Sequence, residues 1–262
     1  MTVVAVMHPG AMGSAVGASL CAAGHEVLWA SEGRSDATAQ RARGSGLSDA
    51  GTIAALLERA EVVLSICPPH AARSVATRVA GFGGTYVDAN AVSPHTARAV
   101  QALLAPGGAR FVDGGIIGPP PTEAGTTRLY LSGDDAGPVA ALFDAGPLQA
   151  VVLPGEVGAA SALKLTYAAW TKGTAALLLA IRAAARAHRV EDALLAEWAL
   201  SQPDLPARSA RAAQSAAQKA WRWEGEMREV AATFAEAGLP EGFHLAAAEV
   251  FASPPDATRS SS

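Results

Sequence analysis

The sequence predicts an α/β protein: a Rossmann-type, doubly wound parallel sheet, then a long interdomain helix and an all-helical C-terminal domain. Three observations predict it. Thr2 to Met7 is a short, apolar, β-branched run followed by a glycine turn and an Ala-rich helical stretch. The same alternation of short apolar runs with helical segments repeats, with short joints, to about residue 154. From Gly155 onward the strand signals stop and the chain reads as helix to about residue 252. The expected domains are therefore 1–154 and 155–252. The polar, proline-containing stretch 253–262 reads as a disordered tail.

In order, the first strand leads into the turn His8-Pro9-Gly10-Ala11-Met12-Gly13, and a helix follows from Ser14 to Ala23, with Gly24 closing it. Glu26 to Ser31 is the second strand. A short helix over Asp36–Arg43 precedes a weak strand at Gly46-Leu47 and a helix over Thr52–Ala60. Glu61 to Ile66 is a buried strand that stops at Cys67-Pro68-Pro69, because proline cannot continue a ladder. Ala71–Ala80 reads as helix and Thr85–Ala89 as strand. Ser93-Pro94 supplies the N-cap and first residue of the next helix. Arg110 to Asp113 is a sixth strand leading into a glycine-rich loop, Gly114 to Gly118. Thr127–Ser132 and Gln149–Leu153 are two more strands around a helix. Glu156 to about Arg189 is one proline-free helical run, apolar on every face around Gly173–Ile181. Such a helix is expected to be buried between domains or subunits. Proline and glycine breaks at 202–206 and 238–242 divide the remainder.

The 262 residues supply ample apolar material for a core. A net charge of −4 without a basic tract argues against nucleic acid or an anionic membrane as partner. The two cysteines, Cys21 and Cys67, lack ligand spacing, so neither a metal site nor a disulfide is expected. The N-terminus reads as a core strand and the apolar stretch after Gly173 is too short for a bilayer, so a cytoplasmic protein is expected.

The opening strand-turn-helix is the first part of a dinucleotide-binding unit. Gly10 lets backbone approach a pyrophosphate, Ala11 and Met12 complete the cofactor-binding turn, Gly13 allows close packing, and the N-terminus of the helix that follows supplies free N–H groups for the phosphates. His8 stands where the usual pattern has its first glycine. The end of the second strand is where such domains read the adenosine ribose. Ser31, Arg34 and Ser35 there favour a 2′-phosphate and hence NADP, whereas Glu32 favours NAD. Ligands of doubly wound sheets bind beyond the carboxyl ends of the strands, which brings in Cys67, Pro68, Asn90 and Gly114–Gly118.

These features, in this order, resemble the β-hydroxyacid dehydrogenases, which include 3-hydroxyisobutyrate and 6-phosphogluconate dehydrogenases. The resemblance is carried by Gly10-Ala11-Met12-Gly13, Asp88-Ala89-Asn90, Phe111 through Gly118 with Ala124-Gly125-Thr126, and Gly158 followed six residues on by Lys164. It implies hydride transfer between NADP (NAD is possible) and a small hydroxy or carbonyl substrate. It further implies Lys164 as general acid/base, and Asn90, Gly115, Ile116, Ile117 and Gly118 beside the substrate. Two positions depart: Ile117 replaces the family's substrate-loop serine, and Tyr167 and Ala168 replace its asparagines. An imine reductase, which shares the architecture, and a non-catalytic dinucleotide-binding protein are the alternatives.

The residues alone also single out Lys164. A lysine in a largely apolar helix is costly to bury, and a desolvated lysine can exchange a proton near neutrality. A snorkelling lysine is the competing explanation. Tyr167, one turn on, could share the proton or bond the substrate oxygen. The apolar helix and the small C-terminal segment predict a homodimer.

Overall fold

The computed structural model describes residues 1–253, so the expected tail falls, apart from Ser253, outside the described residues. The chain divides into two compact units, the first being Met1–Lys164 and the second running from Leu165.

The first unit is built on one eight-stranded sheet in the order β3-β2-β1-β4-β5-β6-β7-β8. In chain order its elements are β1 (Val3–Val6), α1 (Ala11–Ala22), β2 (Glu26–Trp29), α2 (Asp36–Gly44), β3 (Ser48–Asp49), α3 (Ile53–Arg59), β4 (Val62–Ser65), α4 (Ala72–Thr77), β5 (Thr85–Asp88), α5 (Pro94–Leu104), β6 (Arg110–Ile117), β7 (Thr127–Ser132), α6 (Ala136–Ala141) and β8 (Leu148–Val152). The first six strands run parallel. Side chains alternate across the sheet, so both faces need cover. Val4, Val6, Val27, Leu64 and Val112 enter one apolar core, and Ala5, Leu28, Val63, Tyr86 and Phe111 enter the other.

α1 begins three residues before the expected Ser14, and two details of the strands also differ from expectation. The weak third strand forms at Ser48–Asp49, just beyond Gly46-Leu47, because Gly46 takes a left-handed conformation (φ 77°) that closes α2. The glycine-rich stretch after Asp113 is also strand rather than loop. β7 returns antiparallel against it and pairs Gly114 with Leu131, Gly115 with Tyr130, Ile116 with Leu129 and Ile117 with Arg128. β8 then lies parallel to β7. The sheet is mostly parallel with one antiparallel junction.

The helix α7 (Ala159–Ala187) begins in the first unit and continues into the second. Arg189, in the left-handed region (φ 58°), follows its end. The second unit continues with α8 (Glu191–Ser201), α9 (Leu205–Glu236) and α10 (Gly242–Ala252). Arg182 and Arg186 bind Glu191 at 2.7 and 2.9 Å and tie α8 to α7. Met227, Val230 and Ala231 of α9 are buried with Ala248 and Phe251 of α10, and Trp223 meets Phe251 edge-on at 5.2 Å. Within this chain only part of the apolar stretch Gly173–Ile181 is covered. Ala176, Leu178 and Leu179 are buried, but Leu177 is 59% exposed and Trp170, two turns earlier, 65%.

Candidate cofactor and active site

β1 ends at Val6, and the turn after it delivers the chain to α1. Gly10 is the N-cap of α1, in extended backbone with no side-chain cap. The first N–H groups of α1 therefore keep their donors for an anion. A Cβ at Gly10 would meet no protein atom within 4 Å, so ligand atoms can approach its backbone closely. Gly13 is the opposite case. A Cβ there would lie 2.2 Å from the His8 carbonyl oxygen, so only glycine lets α1 seat on the turn. Ala11 and Met12 form the first turn of α1 between these two glycines.

Arginines surround this turn. Arg34, from the segment after β2, donates to the Met7 carbonyl at 3.1 Å, and Arg41 of α2 donates to the Pro9 carbonyl at 3.3 Å. Burial, and after it the nearby Arg78, lower the pKa of Arg34. Burial, then Arg34 and Arg78, push the His8 imidazole down to about 4, so His8 is neutral at pH 7. Its Nδ1 is buried and has no hydrogen-bond partner among the described residues. Ser35 caps α2 by accepting from Thr38 N, the Ser31 amide donates to Asp49 Oδ1 at 3.1 Å, and Glu32 is exposed. Arg41 and Arg78 escaped the sequence reading. Arg41 lies on α2 and Arg78 just past the end of α4, with no local pattern to mark either.

At the ends of β4 and β5 the Asn90 side chain acts as a clamp. Its Oδ1 accepts from Cys67 N at 2.6 Å, its Nδ2 donates to Ser65 Oγ at 3.0 Å, and its own N–H donates to Asp88 Oδ1 at 3.0 Å. Asn90 is buried. It fixes the path of the Cys67-Pro68 backbone on the carboxyl side of the sheet. Burial, then Asp88, push the Cys67 thiol up to about 12, which keeps it an inert thiol.

β6 carries the residues that place Lys164. Asp113, fully buried, ends the part of β6 paired with β5. Its carboxylate accepts from Gly158 N at 3.0 Å, Ser161 N at 2.9 Å, Ser161 Oγ at 2.6 Å and Ser132 Oγ at 3.0 Å. Ser132 Oγ in turn accepts from Ala160 N at 3.0 Å. A buried carboxylate thus caps the N-terminus of α7, where the helix dipole favours negative charge. Two residues further along β6, a Cβ on Gly115 would lie 2.7 Å from the Ala160 carbonyl and 2.9 Å from Lys164 Cβ. Glycine there lets α7 lie against the strand with Lys164 directly over it. Ile116 is buried, Ile117 is partly buried, and Gly118 turns with φ 131°. Lys164 is half-buried, and Tyr167 is 48% exposed in the second unit.

Register puts these pieces on one side of the sheet. Asp88 pairs with Asp113, so Gly115 and Lys164 lie beyond the carboxyl end of β5, as the Gly10 turn, Cys67 and Asn90 lie beyond β1, β4 and β5. That is the ligand side of a doubly wound sheet. Among the described residues no group of three His, Cys, Asp or Glu could hold a metal ion, and no helix is long and apolar enough to cross a membrane.

Comparison with known proteins agrees with this geometry. A family model described as the NAD binding domain of 6-phosphogluconate dehydrogenase matches residues 4–140. A second, described as a domain of unknown function (DUF1932), matches residues 185–253. No curated protein matches the sequence. Among solved structures, the conserved protein MTH1747, of unknown function and described as structurally similar to 3-hydroxyacid dehydrogenases, is 28% identical over 95% of this chain and 96% of its own, with a TM-score of 0.70. The 3-hydroxyisobutyrate dehydrogenase of Mycobacterium tuberculosis, solved with L-serine, is 18% identical over 96% and 93%, TM-score 0.70. The reductive aminase of Aspergillus terreus, solved with NADPH and ethyl levulinate, is 22% identical over 96% and 93%, TM-score 0.60. The last two share the fold.

Proposed function

The chain belongs to the family of the 6-phosphogluconate dehydrogenase NAD-binding domain, and from that premise we propose that it is an NADP(H)-dependent oxidoreductase acting on a small hydroxy or carbonyl compound. The observation that carries this reading is the placement of Lys164 over Gly115 on the ligand side of the dinucleotide-binding sheet. The uncapped N-terminus of α1 and the open backbone at Gly10 fit a pyrophosphate. Arg34 and Arg41 beside the turn fit the added negative charge of a 2′-phosphate. A bound nicotinamide would supply or accept the hydride. Lys164 would then give a proton to the substrate oxygen in reduction and take it back in oxidation, a role worth about 10²–10⁴-fold in rate. Asp113 and Ser132 act through Lys164 by holding the first turn of α7.

A second reading, reduction of an imine, is favoured by Ile117 and Tyr167, which leave fewer groups to hold a substrate carboxylate. Consumption of NADPH against a panel of hydroxyacid-derived carbonyls and preformed imines decides. Turnover of a carbonyl supports the first reading, turnover of imines alone the second, and tight NADPH binding without turnover of either contradicts both.

A further inference from the structure

The second unit holds a pocket of its own, which neither the dinucleotide-binding sheet nor Lys164 lines. It lies between α7 and α9 and has a volume of about 390 Å³. That is within the range of small-molecule pockets, about 300–1,000 Å³. Its apolar base is Leu178 and Ala212, both buried. Trp170 and Trp223 stand in its walls, and Arg208 and Arg211 line it from successive turns of α9. The Arg208 guanidinium lies over the Trp170 ring, 6.0 Å from its centre, which stacks the cation and limits its motion. Lys172 also lines the pocket, but it is paired with Glu226 in a largely buried ion pair. Among the described residues lining the pocket none is acidic. Two guanidinium groups, aromatic walls and a small apolar base therefore meet with a local excess of positive charge in a chain whose net charge is −4.

We propose that this pocket binds a small carboxylate with an aromatic or branched apolar body, the carboxylate paired to Arg208 and Arg211 and the body held between the tryptophans. Guanidinium matches carboxylate with two parallel N–H donors, and each such charged bond is stronger than a neutral one. The apolar body gains from leaving water against indole surface. No residue assigned above to hydride transfer lines this pocket, and the test runs without cofactor, so its failure leaves that reading untouched.

The test uses the full chain and 3-phenylpropionate as probe, followed by calorimetry and by tryptophan fluorescence, since Trp170 and Trp223 line the pocket. The expected result is saturable binding with a change in fluorescence. The uncharged 3-phenylpropanamide, with the same body, should bind at least about tenfold more weakly to the unaltered chain, the loss expected for one charge-assisted bond. Arg208→Gln with Arg211→Gln should weaken the carboxylate by a similar factor without changing the circular dichroism spectrum. Equal binding of acid and amide would overturn the proposal, as would an absence of saturation. So would a double variant that binds the probe as wild type does, or one whose only change is a shift in mass from dimer to monomer, which would assign the arginines to a second copy of the chain.

Discussion

Arg34 leaves the end of β2 and reaches back to the Met7 carbonyl, which sets its guanidinium beside the turn that opens α1. An arginine so placed meets a 2′-phosphate by charge-assisted bonds. Arg34→Ala is therefore expected to weaken NADP⁺ binding about tenfold or more and to leave NAD⁺ nearly unchanged. Calorimetric titration of both cofactors checks it, and equal losses for the two would show that Arg34 only shapes the turn. His8, in the same cluster, carries a pH prediction. Its pKa is about 4 in the folded chain against an ordinary value of 6.5, chiefly through burial. Between those values the unfolded chain binds the proton that the folded chain refuses. Stability contributed at His8 is thus complete above pH 6.5 and is lost as pH falls toward 4. For a partly solvated ring the loss is about 1–2 kcal/mol. His244, also lowered by burial, titrates in the same direction. The diagnostic is therefore the difference between wild type and His8→Gln, whose melting temperature should fall less between pH 7 and pH 4.5. Parallel curves would remove His8 as the cause.

At the scale of elements, the join between β6 and α7 is where sequence reading and structure part most usefully. Strand, turn and helix at the N-terminus were legible because each signal is local: β-branched residues, Gly10, Gly13 and an alanine-rich helix. The extension of β6 through Ile117 was not. Glycines usually mark a loop, and here Gly115 is needed because the carbonyl of Ala160, far along the chain, comes within van der Waals reach. The cap of α7 was equally hidden. Asp113 was legible as the end of a strand, but the backbone it caps belongs to Gly158 and Ser161, 45 and 48 positions away. Asp113→Ala would leave those buried donors and Ser132 without their acceptor. A loss of about 3 kcal/mol or more is expected, read from urea unfolding. Cofactor affinity should hold better than turnover if Asp113 acts by holding α7. A loss under about 1 kcal/mol would mean that water replaces the carboxylate readily.

For the whole molecule, the exposed Tyr167 and Leu177 on α7 support the proposal of a homodimer built on the helical half, since exposed apolar side chains of that size favour cover by a second chain. Light scattering at micromolar concentration should give about twice the 26.4 kDa of one chain. Leu177→Glu should shift the mass toward the single chain, and a wild-type mass of one chain would contradict the proposal. The pairing of a dinucleotide-binding sheet with a helical unit was legible from the change in pattern at Gly155. Which parts of α7 stay uncovered was not, because a run of alanine and leucine reads the same on every face.

The central claim is that this dinucleotide-binding chain transfers hydride with Lys164 as its proton donor and acceptor. Lys164→Met keeps the apolar stem of the side chain and removes the ammonium group. The most direct measurement is the rate of NADPH oxidation by this variant and by wild type on a substrate that wild type turns over, with NADPH affinity measured on the same samples. The claim predicts a fall of about 10²–10⁴-fold in turnover with cofactor affinity within a few-fold of wild type. A variant that keeps near-full turnover would contradict it and leave Lys164 a packing residue of α7.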